Sequence, residues 1–164
     1  MKGINGVLAQ RNLREVQGIV EKALIEYVDE RSEDPAMTYA KDILLAGGKR
    51  FRPVLGCLAY EAAGATLDDK MLRTALSAEI IHTATLVHDD IYDQAKLRRG
   101  RPTLHSQHGI AHGIISGDYL FTLGYWLGAE QGPEVIKVLA ETCIGLANGE
   151  LLQFDHIGDL GTSP

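Results

Sequence analysis

The segment from about Asp68 to Asp93 constrains this chain more than any other. Met71, Leu72, Ala75, Leu76, Ala78, Ile80, Ile81, Ala84, Leu86 and Val87 place apolar side chains around most of a helix circumference. A helix that is apolar on nearly every side must be covered on nearly every side, so it belongs at the centre of a packed molecule. The same helix then ends in His88, Asp89, Asp90, Ile91, Tyr92 and Asp93. A core helix running into clustered carboxylates calls for both a bundle to bury it and a partner for its charge.

The rest of the chain supplies the bundle. Val7, Leu8, Arg11, Val16, Ile19, Val20, Ala23, Leu24 and Tyr27 follow a period near 3.6, the stripe of an amphipathic helix. Residues 31–35 carry loop and restart signals, and a short helix through Ala40, Ile43, Leu44 and Leu45 stops at Gly47 and Gly48. Pro53 suits the first turn of the next helix, which passes Leu55, Cys57 and Leu58 and stops at Gly64. A basic loop over 96–103 precedes two further helices, at about 111–130 and 133–156, and the tail from Gly158 has loop composition. No alternating run flanks a hairpin turn, so the spacing predicts an all-α helical bundle. Gly113, Gly117, Gly124 and Gly128 fall inside a predicted helix, where they permit close helix contact.

Composition removes several function classes. The net charge of -6 argues against a general nucleic-acid binder. No apolar run has the length of a membrane span. Lys2, Asn5, Gln10, Arg11 and Arg14 interrupt any signal-peptide core. Cys57 and Cys143 lack metal-ligand spacing and read as buried thiols of a cytosolic protein, so a cytoplasmic location is expected.

The chemistry concentrates at the end of the central helix. Asp89 and Asp93 are four residues apart and share a face, where like charges repel unless a cation neutralises them. Acidic groups at a helix C-terminus also oppose the macrodipole. Mg2+ is the fitting cation, because it takes oxygen ligands and completes its shell with water and substrate phosphates. Asp90 points about 100° away and is the poorer ligand. Gly47, Gly48, Lys49, Arg50, Phe51, Arg52 and Pro53 form one compact cationic set, and Arg98, Arg99, Gly100, Arg101, Pro102 and Thr103 form another. Two such loops flanking a metal site suggest two polyphosphates, one held through metal and one by side chains. His82 lies nearly two turns before Asp89, either as a donor to phosphate or as a satisfied core histidine. His105, His108 and His112 have metal-compatible spacing but no acidic or thiol ligand nearby, which favours exposed or cavity-wall positions. Asp118 is either a catalytic acid or a buried anchor, and Glu150, Gln153 and Asp155 form a polar face that could reach the same cavity.

GGKRFRP at 47–53, IHTATLVHDDIYD at 81–93, RRGRPT at 98–103 and SGDYL at 116–120 together resemble the trans-type polyprenyl diphosphate synthases, the farnesyl and geranylgeranyl diphosphate synthase family. The resemblance implies a helical bundle around a central cavity, usually in a homodimer. It implies Mg2+-dependent head-to-tail condensation of isopentenyl diphosphate with an allylic diphosphate, releasing pyrophosphate. By position, Lys49, Arg52, His82 and Arg99 correspond to isopentenyl diphosphate contacts, Asp89 and Asp93 to metal ligands, and Arg98 to an allylic diphosphate contact. Ile81, Ala84 and Thr85 correspond to the wall along which product grows. Neither Ala84 nor Thr85 is aromatic, so the expected product is geranylgeranyl or longer.

Family members are considerably longer and carry a second aspartate-rich motif, which does not follow Asp93 here. The expectation is that residues 1–164 are the N-terminal portion of a single polyprenyl synthase domain, weak or inactive alone. A non-catalytic or regulatory subunit of a hetero-oligomeric synthase is the alternative. A metal phosphohydrolase built on His88 and Asp89 is disfavoured, because Asp93 already accounts for Asp89.

Overall fold

The computed structural model of the protein describes residues 13–158 and residue 161. Its elements are α1 (Leu13–Glu30), α2 (Pro35–Leu44), α3 (Phe51–Ala62), α4 (Asp69–Tyr92), β1 (Leu97–Arg98), β2 (Arg101–Pro102), α5 (Leu104–His108), α6 (Ile110–Ala129) and α7 (Pro133–Asp155). Of the expected first stripe, Val16, Val20, Leu24 and Tyr27 are buried on α1, while Val7, Leu8 and Arg11 lie outside the described residues. Pro35 and Pro53 both sit in first turns, where the missing N–H costs nothing.

Helix α4 is the centre of the bundle. Asp68 caps it, its side chain accepting the Met71 N–H at 2.8 Å, which is worth about 1 kcal/mol. It buries residues all round its circumference, from Ala75, Leu76 and Ser77 to Ala84, Val87 and Asp90. Leu24, Leu44, Leu120 and Leu127 are fully buried around it, each contributing roughly 1.5–3 kcal/mol by leaving water.

Helix α6 lies close along α4 because its facing positions have no side chains. A Cβ at Gly113 would come within 2.8 Å of Ile91, and one at Gly124 within 2.5 Å of Ile81. At Gly117 it would collide with the His88 ring. The close approach also lets Ser77 Oγ donate to the buried Gly124 carbonyl at 2.8 Å.

Two features depart from the sequence-based expectation. The basic loop is a miniature antiparallel hairpin, with Leu97 opposite Pro102 and Arg98 opposite Arg101. Arg99 and Gly100 form its tip at φ +52° and +77°, the two positive values that a tight hairpin turn requires. Strands of two residues carry no alternation, so pattern reading had nothing to detect. Helix α7 is the second departure. Its length was expected, but none of its residues is buried, and Val138, Ile144, Leu151 and Leu152 remain exposed.

Candidate active site

The last turns of α4 sort three neighbouring carboxylates into two tasks. Asp89 is half-buried and accepts the Tyr92 hydroxyl at 2.5 Å. Burial and the adjacent Asp89 push the Tyr92 phenol well above its ordinary range, so it remains a donor. Asp93 caps the helix, exposed and one turn beyond, its N–H bonded to the Asp89 carbonyl at 2.9 Å. Asp90 turns to the other side and is buried, where Arg98 Nε donates to it at 2.8 Å. Asp89 and Asp93 remain free of any cationic side chain in the ion pairs of the described residues.

The two cationic loops form a single surface. Arg99 reaches from the hairpin tip and donates to the Gly47 carbonyl. Its guanidinium lies so near Gly48 that a Cβ there would approach it within 2.9 Å. Lys49, Arg52 and Arg99 are all exposed. His82 stands half-buried below them. Burial, then the charges of Arg52 and Arg99, depress its pKa below the ordinary value of 6.5. It is therefore a neutral imidazole, able to donate one hydrogen bond, in a field prepared for anions.

Sequence reading grouped Arg50 with the cations of this loop. The structure buries it instead, in contact with Glu21, Glu79 and the Leu44 carbonyl. Nothing in the run GGKRFRP distinguishes Arg50 from Arg52, because the two acidic partners lie on distant helices. Arg98 is likewise held by a carboxylate, which leaves its two terminal nitrogens for an anion.

Below Asp89 opens a cavity of about 790 Å3 with a mainly apolar lining. Asp89, Tyr92, Glu150 and Phe154 lie at one end, while Ala78 and Leu139 lie at the other. Eleven residues of α4 separate Asp89 from Ala78, a depth of roughly 16 Å at the helical rise. Ile81 and Thr85 line this wall, and Ala84 does not. It is fully buried in the core, on the side of α4 away from the cavity. One residue of offset rotates a helical side chain by about 100°, which corrects the wall to Ile81 and Thr85.

Other singled-out residues scatter. His108 and His112 pack against Tyr39, with ring centroids at 5.2 and 4.9 Å. Asp118 is exposed rather than buried, 3.6 Å from His88 Nε2. Glu150 lines the cavity, whereas Gln153 and Asp155 do not. Cys57 is buried, which pushes its thiol up to about 11. Cys143 is only half-buried and lies on the cavity wall. Phe121 on α6 and Phe154 on α7 complete the wall, and no local sequence signal marked either.

Among the described residues, no group of three or more His, Cys, Asp or Glu side chains is placed to hold a metal ion. The Asp89–Asp93 pair still fits Mg2+, which is commonly bound by one or two carboxylates with phosphate and water completing its shell. Their hard oxygen donors and the cation-free position support that fit.

A half-buried carboxylate and a loop cation on the lining of a deep apolar cavity, with a second carboxylate one turn further along the helix, define a helical protein whose site joins charge to an apolar space. The comparisons make the class specific. A family model described as polyprenyl synthetase matches residues 34–162, and the chain belongs to that family. It is 32% identical over 141 residues to a short chain isoprenyl diphosphate synthase of Methanocaldococcus jannaschii, covering 83% of this chain and 42% of that protein. It is 43% identical over 115 residues to heptaprenyl diphosphate synthase component 2 of Geobacillus stearothermophilus, covering 70% and 36%. The geranylgeranyl pyrophosphate synthetase of the archaeon Geoglobus acetivorans superimposes with a TM-score of 0.84 at 29% identity, over 92% of this chain and 51% of that one. The chain thus spans less than half the length of the curated relatives named here.

Proposed function

We propose that this chain supplies the diphosphate-binding half of a cytoplasmic, homodimeric prenyltransferase that joins isopentenyl diphosphate head-to-tail to an allylic diphosphate and releases pyrophosphate. The observation that carries the reading is that Asp89, Arg52 and His82 line one apolar cavity, with Asp93 one turn beyond Asp89 and the charge of Arg99 acting on His82. Asp89 and Asp93 would hold Mg2+, which when bound draws charge from the allylic diphosphate and favours loss of pyrophosphate. Arg98, braced by Asp90 through Nε, would offer its two terminal nitrogens to the same leaving group. Lys49, Arg52 and Arg99 bind the second diphosphate, and neutral His82 donates to one of its oxygens. Ile81, Thr85 and Phe121 guide the tail, and the open wall beside Thr85 suits a product of geranylgeranyl length or more.

One titration tests the reading. Isopentenyl diphosphate is expected to bind in EDTA, through side chains alone, whereas an unreactive allylic diphosphate analogue should bind only when Mg2+ is added. Metal-independent binding of the allylic analogue, or no binding of isopentenyl diphosphate, would refute it. A second reading, a subunit of a hetero-oligomeric synthase, draws on the exposed apolar face of α7 and on the similarity to a protein named as a component. Copurification with a distinct synthase chain in a fixed ratio would favour it.

A further inference from the structure

Arg50 sits between two exposed cations, Lys49 and Arg52, yet its side chain is only 2% exposed. Its backbone occupies the left-handed region at φ +48° and ψ +38°, at the start of α3. The side chain turns inward and meets three helices. Nε and Nη2 grip both oxygens of Glu21 on α1, at 2.7 and 3.1 Å. Nη1 donates to Glu79 on α4 at 3.0 Å, and Nη2 to the Leu44 carbonyl at the end of α2 at 2.6 Å. The Arg50 carbonyl in turn accepts the Val54 N–H at 3.0 Å, beginning the first turn of α3.

We infer that Arg50 is a positioning residue, a buried clamp that sets where Lys49 and Arg52 present their charges to a diphosphate. This inference rests on the function proposed above. The geometry separates it from a generic core contact. A clamp between the two exposed cations, joined to α1, α2 and α4, fixes the loop in three directions. Two further contacts tie the same loop, the Arg99 guanidinium on the Gly47 carbonyl and the Gln17 amide on the Gly48 carbonyl at 3.4 Å. The planar fork of arginine matches this set of acceptors, which a single ammonium point charge cannot span in the same way. The inward turn of Arg50 leaves its neighbours facing outward, so loss of the clamp would spread Lys49 and Arg52 over many positions while leaving Asp89 and Asp93 on their own helix.

The test compares two ligands on one protein. Arg50→Met alone would strand the buried Glu79 charge and could unfold the chain, so the variant is Glu21→Gln/Arg50→Met/Glu79→Gln, which removes every charge of the cluster. A second, milder variant, Glu21→Gln, alters only the α1 arm of the clamp and lies outside the ligand surface described above. Isopentenyl diphosphate in EDTA probes the cationic loops, and an allylic diphosphate analogue with Mg2+ probes the carboxylates. The triple variant should weaken the first at least about tenfold and the second less than about twofold, with Glu21→Gln moving the first in the same direction by about threefold. Should the triple variant fail to fold, the split between ligands in Glu21→Gln decides. Unchanged isopentenyl diphosphate binding in folded variants, or equal weakening of both ligands, overturns the clamp while leaving the proposed function standing. An unmodified protein that binds neither ligand overturns the proposed function and the clamp with it.

Discussion

Asp90 shows how a neighbour decides what a charge does. Chemically it is the same group as Asp89, yet burial and Arg98 make it a brace, while Asp89 faces the cavity mouth. His82 obeys a similar logic. Its depressed pKa means that the unfolded chain binds a proton more readily than the native one near pH 6, so stability rises with pH up to the ordinary value of 6.5 and then levels. On acidification below that value, stability falls toward the folded pKa. Thermal melting between about pH 5 and 7.5 should therefore show a steeper acid loss for the parent than for His82→Gln, whose side chain does not titrate. Parallel curves would show that His82 is not under the stress assigned to it. Thr85 and Ala84 separate by the same kind of neighbour effect. Thr85→Phe should narrow the cavity and shorten the product of the assembled enzyme, as read by mass spectrometry. Ala84→Phe should instead overpack a fully buried position, lowering stability by about 1–3 kcal/mol in denaturant unfolding. The reverse assignment of effects would return Ala84 to the cavity wall.

The contact of α4 with α6 makes the element scale testable through glycine. Gly124→Ala gains helix propensity worth about 1 kcal/mol, but its methyl would meet Ile81 at 2.5 Å and the Ser77 carbonyl at 3.1 Å. The expected net effect is destabilisation. Gly145, inside α7, has nothing within 4 Å of an added Cβ, so Gly145→Ala should stabilise by about 0.5–1 kcal/mol. Chemical denaturation of the two variants must give opposite signs; a shared sign would mean that propensity alone governs both. Much at this scale was legible beforehand. The period of α1, the circumference of α4, the prolines of α2 and α3 and the glycines of α6 each impose a local pattern that survives packing. The hairpin at 97–102 was illegible because its strands are too short for a period. The burial of Arg50 was illegible because it depends on carboxylates 29 residues away in either direction. Asp89 and Asp93 could be paired from spacing, but which of Ile81, Ala84 and Thr85 faces the cavity depends on how α6 docks. A tightly packed contact surface, unlike a run of residues, has no signature in the local order of the chain.

For the whole molecule, the decisive property is how far the cavity is closed. Its walls come from α4, from Arg52 of α3, from Phe121 of α6 and from α7, which buries none of its own residues. Leu146, Leu151 and Phe154 line the cavity and remain 50%, 64% and 40% exposed, so water reaches the tail-binding wall. Binding of a diphosphate tolerates that access, because cationic side chains at a wet surface still hold phosphate. Carbon–carbon bond formation through an allylic cation does not, because water captures the cation. The chain of 164 residues is therefore expected to bind diphosphates while turning over weakly or not at all by itself. The measurement is a mass-verified preparation given isopentenyl diphosphate, an allylic diphosphate and Mg2+, with hydrocarbon products and the alcohol from water capture both quantified. A predominance of the alcohol over condensed product would show ionisation at an open site, and traces of either would accord with the exposed wall. Robust prenyl chain growth would overturn the expectation and require that α7 be covered in solution, which sedimentation of the same sample at several concentrations would reveal as self-association.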